Sequence, residues 1–91
     1  MVKVVKYSAE WCAPCKKFAP IVHKVVEELR SEGVNITLED VDVDKTPTPG
    51  ILSVPTVRIV DDSGIVLGER SGAMSKNMFK KFVEESTPSL Q

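Results

Sequence analysis

Two rhythms of apolar and polar residues run along this chain, and they divide it into elements. Val2 to Tyr7 is rich in valine and free of breakers, which predicts a strand. Phe18, Ile21, Val22, Val25, Val26 and Leu29 then recur at helical spacing and form one apolar stripe. Lys16, Lys17, Lys24, Glu27 and Glu28 fill much of the opposite side. Pro14 suits the first helical turn, Pro20 should kink the helix, and Gly33 is a natural stop. Asn35 to Val43 reads as a second strand that runs into the acidic stretch Glu39 to Asp44. Thr46-Pro47 opens a short helical turn over 47–52. Val54 to Val60 is a third strand with Pro55 at its entrance. Asp61-Asp62-Ser63-Gly64 makes a hairpin turn into a fourth strand, Ile65 to Arg70. After the loop Ser71-Gly72-Ala73, Ser75 caps a last helix carrying Met78, Phe79, Phe82 and Val83 on one face. The tail from Ser86 to Gln91 reads as frayed.

The element order is therefore β-α-β-β-β-α. A strand, a long helix and a further strand imply a right-handed unit with parallel neighbours. The tight turn at Asp61–Gly64 makes the following pair antiparallel. The expected fold class is α/β, a four-stranded mixed sheet flanked by helices. The chain has 91 residues, which suits a single domain over 1–91. A domain of this size buries only about 60–65% of the surface that its unfolded chain exposes. With 12 basic and 13 acidic side chains, the net charge of −1 argues against a nucleic-acid surface. No apolar run approaches the roughly 20 residues that span a bilayer. The start, Met1 to Lys6, is too short and too charged for a secretory signal, so the expected location is cytoplasmic.

The candidate chemistry lies in the two cysteines, Cys12 and Cys15, in Ala9-Glu10-Trp11-Cys12-Ala13-Pro14-Cys15-Lys16. They sit where a strand hands over to a helix, among unsatisfied N–H groups and a positive dipole end. That setting favours a thiolate at Cys12. Ionising half of an ordinary thiol at pH 7 requires about 2 kcal/mol. A helix dipole supplies about 0.3–1 kcal/mol, so a hydrogen bond from Cys15 and the charges of Lys16 and Lys17 must add to it. Position divides the labour. Cys12 at an exposed tip attacks a disulfide, and Cys15, one turn deeper, resolves the mixed disulfide. Zinc would require four ligands, and only His23 and scattered carboxylates remain to join the cysteines, so no metal is expected.

Three separated segments, in matching order and spacing, make the chain resemble the thioredoxin family. They are Ala9 to Lys16 continuing through Ala19-Pro20-Ile21, then Val54-Pro55-Thr56, then Gly72-Ala73-Met74-Ser75-Lys76. The resemblance covers nearly the whole chain and implies a minimal thioredoxin-like fold. It implies that Pro55 is a cis-proline facing the cysteines. It further implies a substrate groove of Trp11, Ala13, Pro14, Val54, Pro55, Gly72 and Ala73, with the Val54 backbone presented to a bound peptide. The plain alternative for Pro55 is a strand-edge proline.

The departures from the family are informative. The chain begins at what would be the second strand of bacterial thioredoxins. Ala13 stands where a glycine is usual, and Ser8 where a tryptophan is usual. Thioredoxins usually bury an aspartate six residues before the first cysteine, with a lysine on the next strand. Here those positions are Lys6 and Asp40. Strand alternation independently puts Lys6 with Val2 and Val4, and Asp40 with Ile36 and Leu38. Charges on apolar faces of neighbouring strands should pair, because an unpaired buried charge is very costly. The expectation is a charge-swapped pair beneath the cysteines, with Asp40 helping to deprotonate Cys15. Its alternative is a snorkelling Lys6 and a solvated acidic run.

His23 reads as a surface histidine, carried away from the motif by the helix. Tyr7 reads as a core aromatic with its hydroxyl near the site, and Met74 and Met78 as packing. The resemblance implies a protein disulfide reductase with no cofactor, re-reduced by a thioredoxin-reductase-like donor. It is expected to be a monomer, with no nucleic-acid or membrane partner. Ribonucleotide reductase is one family-level candidate substrate. Two rivals are a glutathione-dependent, glutaredoxin-like protein and a module that only binds a partner. Trp11 and Gly72-Ala73 argue against the first, since glutaredoxins usually carry a tyrosine in the motif and a later Gly-Gly pair. Retention of both cysteines argues against the second.

Overall fold

Alternation along the first strand decides which side of the sheet is covered. The computed structural model describes residues 1–87. Strand β1 is Val2–Ser8, helix α1 Ala13–Ser31, β2 Ile36–Asp42, β3 Thr56–Asp61, β4 Val66–Ser71 and α2 Lys76–Ser86. The sheet order is β2-β1-β3-β4, with β1 parallel to β2 and antiparallel to β3, and β3 antiparallel to β4. This is the mixed sheet that the pattern predicts. Both helices pack on the face that carries Val2 and Val4. There Phe18, Val22, Val25, Val26 and Leu29 of α1 meet Ile36, Val57 and Ile59 of the sheet and Phe79, Phe82 and Val83 of α2. The rings of Phe18 and Phe79 meet edge to face at 5.5 Å.

Along that face the β1–β2 pairs change character in order: Val2 with Ile36, Val4 with Leu38, Lys6 with Asp40, Ser8 with Asp42. The apolar core thus gives way to polar groups as the chain approaches the cysteines. Among the described residues the other face carries no helix. Val5 and Tyr7 are nevertheless buried there. Arg58 lies over the Tyr7 ring at 5.4 Å and donates to Glu69 at 2.6 Å, and Lys3 pairs with Glu39 at 3.0 Å. The aliphatic stems of these long side chains roof the apolar positions while their heads stay wet. Alternation places Tyr7 on the face opposite Lys6, buried beneath Arg58.

Four further expectations need correction. No helical turn forms over 47–52; Ile51 N–H instead closes a turn on the Thr48 carbonyl. Pro47 and Pro49 bias the residues before them away from helical backbone, and Gly50 has φ +88°. Strand β3 starts at Thr56 rather than Val54, because the Val54–Pro55 bond is cis and Pro55 has no N–H to pair. Met78 is exposed, unlike Phe79, Phe82 and Val83, because it falls beyond the width of the buried stripe. In the tail, Ser86 completes α2 and Thr87 is buried, while residues 88–91 lie outside the described region. Ser75 caps α2 as expected, accepting from Met78 N–H at 3.2 Å. The long helix α1 continues through Pro20, which sits on its solvent side.

Phe79 is fully buried at the meeting of both helices and the sheet. Phe79→Ala should cost about 3–5 kcal/mol, read as a fall in the urea midpoint with unchanged slope. A second outcome concerns the bridge from α2 to α1, where Lys76 donates to Glu28 at 2.6 Å. That hydrogen bond holds the Glu28 carboxyl below the usual carboxylate range. Its contribution is therefore present above the ordinary carboxylate pKa and is lost as pH falls through the depressed value. Lys76→Met should lower stability at neutral pH and leave it unchanged below the depressed value, so that the acid side of the stability–pH curve flattens, measured by urea titration at each pH.

Candidate active site

The end of β1 and the start of α1 together build the site. Ala9 accepts the Cys12 N–H at 3.1 Å, which turns the chain out of the strand and into the helix. Cys12 then occupies the N-cap with extended backbone, and its Sγ accepts the Cys15 N–H at 3.1 Å. A cysteine thus does what Ser, Thr or Asp usually does at this position. The two sulfurs are joined in a disulfide, with Cα atoms 5.3 Å apart. No acidic residue stands in the first turn of α1, where Lys16 and Lys17 lie exposed. When the disulfide opens, the Cys15 N–H and the helix end are already aimed at the charge on Cys12.

Burial does not distinguish the two cysteines as expected. Cys12 is only 4% exposed and Cys15 3%, so Cys12 is not an exposed tip. With Ala9 they form a small cluster against which Val43 and Val54 pack. The Cys15 side opens on a cleft of about 200 Å³ bordered by Lys6, Ser8, Glu10, Lys16 and Asp42.

Lys6 and Asp40 do come together. They are register partners, and Nζ lies 2.9 Å from Asp40 Oδ1. The pair is lopsided: the Lys6 side chain is 7% exposed and that of Asp40 50%. Lys6 borders the cleft beside Cys15, whereas Asp40 turns its other oxygen toward His23 Nε2 at 3.8 Å. His23 is exposed, as its sequence position suggests, yet it touches this pair.

The cis Val54–Pro55 turn lies against the same cysteines through Val54, and Pro55 is buried. Thr56 Oγ1 donates to the Ser53 carbonyl at 2.7 Å and lies 3.1 Å from Ser71 Oγ. Gly72, at φ +92°, donates its N–H to the Pro55 carbonyl at 2.8 Å. That backbone conformation favours glycine. Trp11, Ala13, Pro14, Gly72 and Ala73 are all exposed. Trp11 is fixed by its indole N–H, which donates to Asp44 Oδ2 at 2.9 Å.

Asp42 and Asp44 did not stand out in the sequence, where they belong to an acidic run. Asp42 was findable, since it lies two residues beyond Asp40 and alternation returns it to the same face. Asp44 lies in the turn after β2, and no periodicity signals its bond to Trp11. Among the described residues no three His, Cys, Asp or Glu side chains gather to hold a metal ion. No described helix is long and apolar enough to cross a membrane.

Comparison with known proteins matches the Thioredoxin family model over residues 1–85. A thioredoxin of Rhodospirillum rubrum is 34% identical over 86 residues, covering 90% of this chain and 79% of its own. One from Pseudomonas aeruginosa is 33% identical over 82 residues, covering 89% and 75%. "Thioredoxin 2" of Chlorobaculum tepidum is 30% identical over 88 residues, covering 92% and 77%.

The Lys6–Asp40 pair gives a testable asymmetry. Asp40→Asn strands a buried ammonium and should lose on the order of 1–3 kcal/mol. Lys6→Met leaves only a half-exposed carboxylate and should lose less, as compared by urea midpoints at pH 7.

Proposed function

Because the chain belongs to the thioredoxin family and is a thiol–disulfide oxidoreductase, we propose that it reduces protein disulfides, with Cys12 as nucleophile and Cys15 as resolving thiol. The hydrogen bond from Cys15 N–H to Cys12 Sγ at the helix N-cap carries this assignment. It stabilises negative charge on one sulfur of the pair and not on the other.

The sequence of bonds follows from thiol–disulfide exchange. The Cys12 thiolate attacks one substrate sulfur, forming a mixed disulfide and releasing the other substrate sulfur as a thiolate. Cys15 loses its proton, attacks Cys12 Sγ and releases the second substrate thiolate. The substrate gains two electrons, and the protein is left with the Cys12–Cys15 disulfide. A thioredoxin-reductase-like donor returns the two electrons. Lys6, across the cleft, favours the Cys15 thiolate. Asp40 holds Lys6 and passes protons between the cleft and solvent. The substrate chain lies along Trp11, Ala13, Pro14, Val54, Pro55, Gly72 and Ala73. Small residues at 72 and 73 admit it, and the Val54 backbone pairs with it as a short added strand. In this reading the chain works as a single domain and a monomer. Its substrates are protein disulfides, ribonucleotide reductase among the candidates, in a reducing cytoplasm that keeps the dithiol charged.

Cys12→Ser should abolish insulin reduction. Cys15→Ser should lower turnover by about 100-fold or more while a mixed disulfide with substrate accumulates on Cys12, visible by mass spectrometry. Turnover with thioredoxin reductase and not with glutathione supports the donor class; turnover with glutathione alone assigns the glutaredoxin-like role instead. For the charged pair, Lys6→Ala should raise the pH at which Cys12 is half-alkylated, and Asp40→Asn, which removes a negative charge and frees the Lys6 ammonium, should lower it. Unchanged profiles in both variants remove Lys6 and Asp40 from the mechanism.

A further inference from the structure

Asp40 has a second partner, and it stands on the same side of α1 as the resolving cysteine. Cys15, Ala19 and His23 follow one another at spacings of four, which stacks them along one side of the helix. Ala19 borders the cleft shared by Cys15 and Lys6, and His23 stands one turn beyond it. There His23 Nε2 comes within 3.8 Å of Asp40 Oδ2, while Asp40 Oδ1 holds Lys6 Nζ at 2.9 Å. One carboxylate thus joins an exposed imidazole to a buried ammonium at the Cys15 cleft.

The charge of this triad depends on the imidazole. With His23 neutral, the charges of Lys6 and Asp40 cancel. With His23 protonated, one positive charge is left over and Asp40 is shared between two cations. Less of the carboxylate charge then opposes Lys6, and the Lys6 ammonium acts more strongly on the cleft. Histidine is the side chain that ordinarily changes charge between pH 5 and 8. The other charged neighbours are Lys24 and Glu27 on α1, Asp42 on β2, and Glu10 and Lys16 at the rim of the cleft. Carboxylates and ammonium groups ordinarily keep their charge over that range.

We propose that His23 is a positioning residue for the resolving step: when protonated it draws on Asp40, strengthens Lys6 and so favours the Cys15 thiolate, which sustains resolution as pH falls. The inference rests on the reductase reading above. Two helical turns separate His23 from Cys15, about 12 Å along the axis at a rise of about 1.5 Å per residue. The influence therefore passes through the two side chains between them. It is modest, because His23 and Asp40 are both half in water. The same exposure means that replacing His23 removes no core contact.

The test mixes the reduced protein with Ellman's reagent in stopped flow. Attack by Cys12 releases the first thionitrobenzoate at a rate that rises with reagent concentration. Attack by Cys15 on the mixed disulfide releases the second at a rate that does not. At about pH 5.5 the second release should be about two- to threefold slower in His23→Gln than in the unaltered protein, and at about pH 8.5 the two should agree. His23→Lys, charged at both values, should match the unaltered protein at the lower pH and exceed it at the higher. In Asp40→Asn, adding His23→Gln should change nothing. Four results overturn the role of His23 and leave the reductase standing: equal second rates in His23→Gln and the unaltered protein at the lower pH, a difference of the same size at both pH values, a His23→Lys protein no faster than His23→Gln, or a difference that survives Asp40→Asn. Absence of the second release overturns the reductase reading as well.

Discussion

Burial of the α1 stripe against one face of β1, β2 and β3 is the constraint on which everything else depends. It fixes the helix relative to the sheet. It thereby brings the helix N-terminus, and the cysteine that caps it, to the end of the sheet where β1 finishes. The apolar contacts from Phe18 to Leu29 are remote from the chemistry, yet they determine where the partial positive charge of the helix end points. Helix α2 completes the same layer through Phe79, Phe82 and Val83.

Covering a single face has consequences for a chain this short. The helix-covered side is a continuous apolar core that becomes polar only at its last two rungs, Lys6 with Asp40 and Ser8 with Asp42. The bare side depends on long charged side chains laid across Val5 and Tyr7. Ion pairs such as Arg58–Glu69 contribute little as surface charges. Their larger effect is apolar, because Arg58 covers an aromatic ring that no described helix shields. The edge strand β4 leaves Val66 and Leu67 partly in water, like Ile65 just before it, with Glu69 and Arg70 following. Charge next to an open edge discourages pairing with another chain.

At the site, three loops converge on two sulfurs. The β1–α1 junction supplies the sulfurs and Trp11. The β2–β3 connection supplies Asp44, Leu52, Val54 and the cis bond. The β4–α2 loop supplies Gly72, which is tied back to Pro55. Burial of both cysteines to a similar degree means that their roles must come from hydrogen bonding and charge. Cys12 receives a backbone N–H, and Cys15 faces the cleft that holds Lys6.

Residues whose roles depend on neighbours in sequence could be read from the chain. Periodicity placed the strands and α1 and so put Cys12 where strand hands over to helix, capping chemistry placed Ser75, and alternation paired Lys6 with Asp40, because each rests on local geometry. Only the tertiary structure decided how deep each group lies and what it meets across a gap. It left Asp40 half in water and Lys6 buried, set Asp42 on the Cys15 cleft, tied Trp11 to Asp44 and stood Leu52 out in solvent. It turned Tyr7 to the far face and removed the helical turn over 47–52. Depth and cross-loop contacts arise from segments tens of residues apart, held together by the core, and no local pattern encodes them.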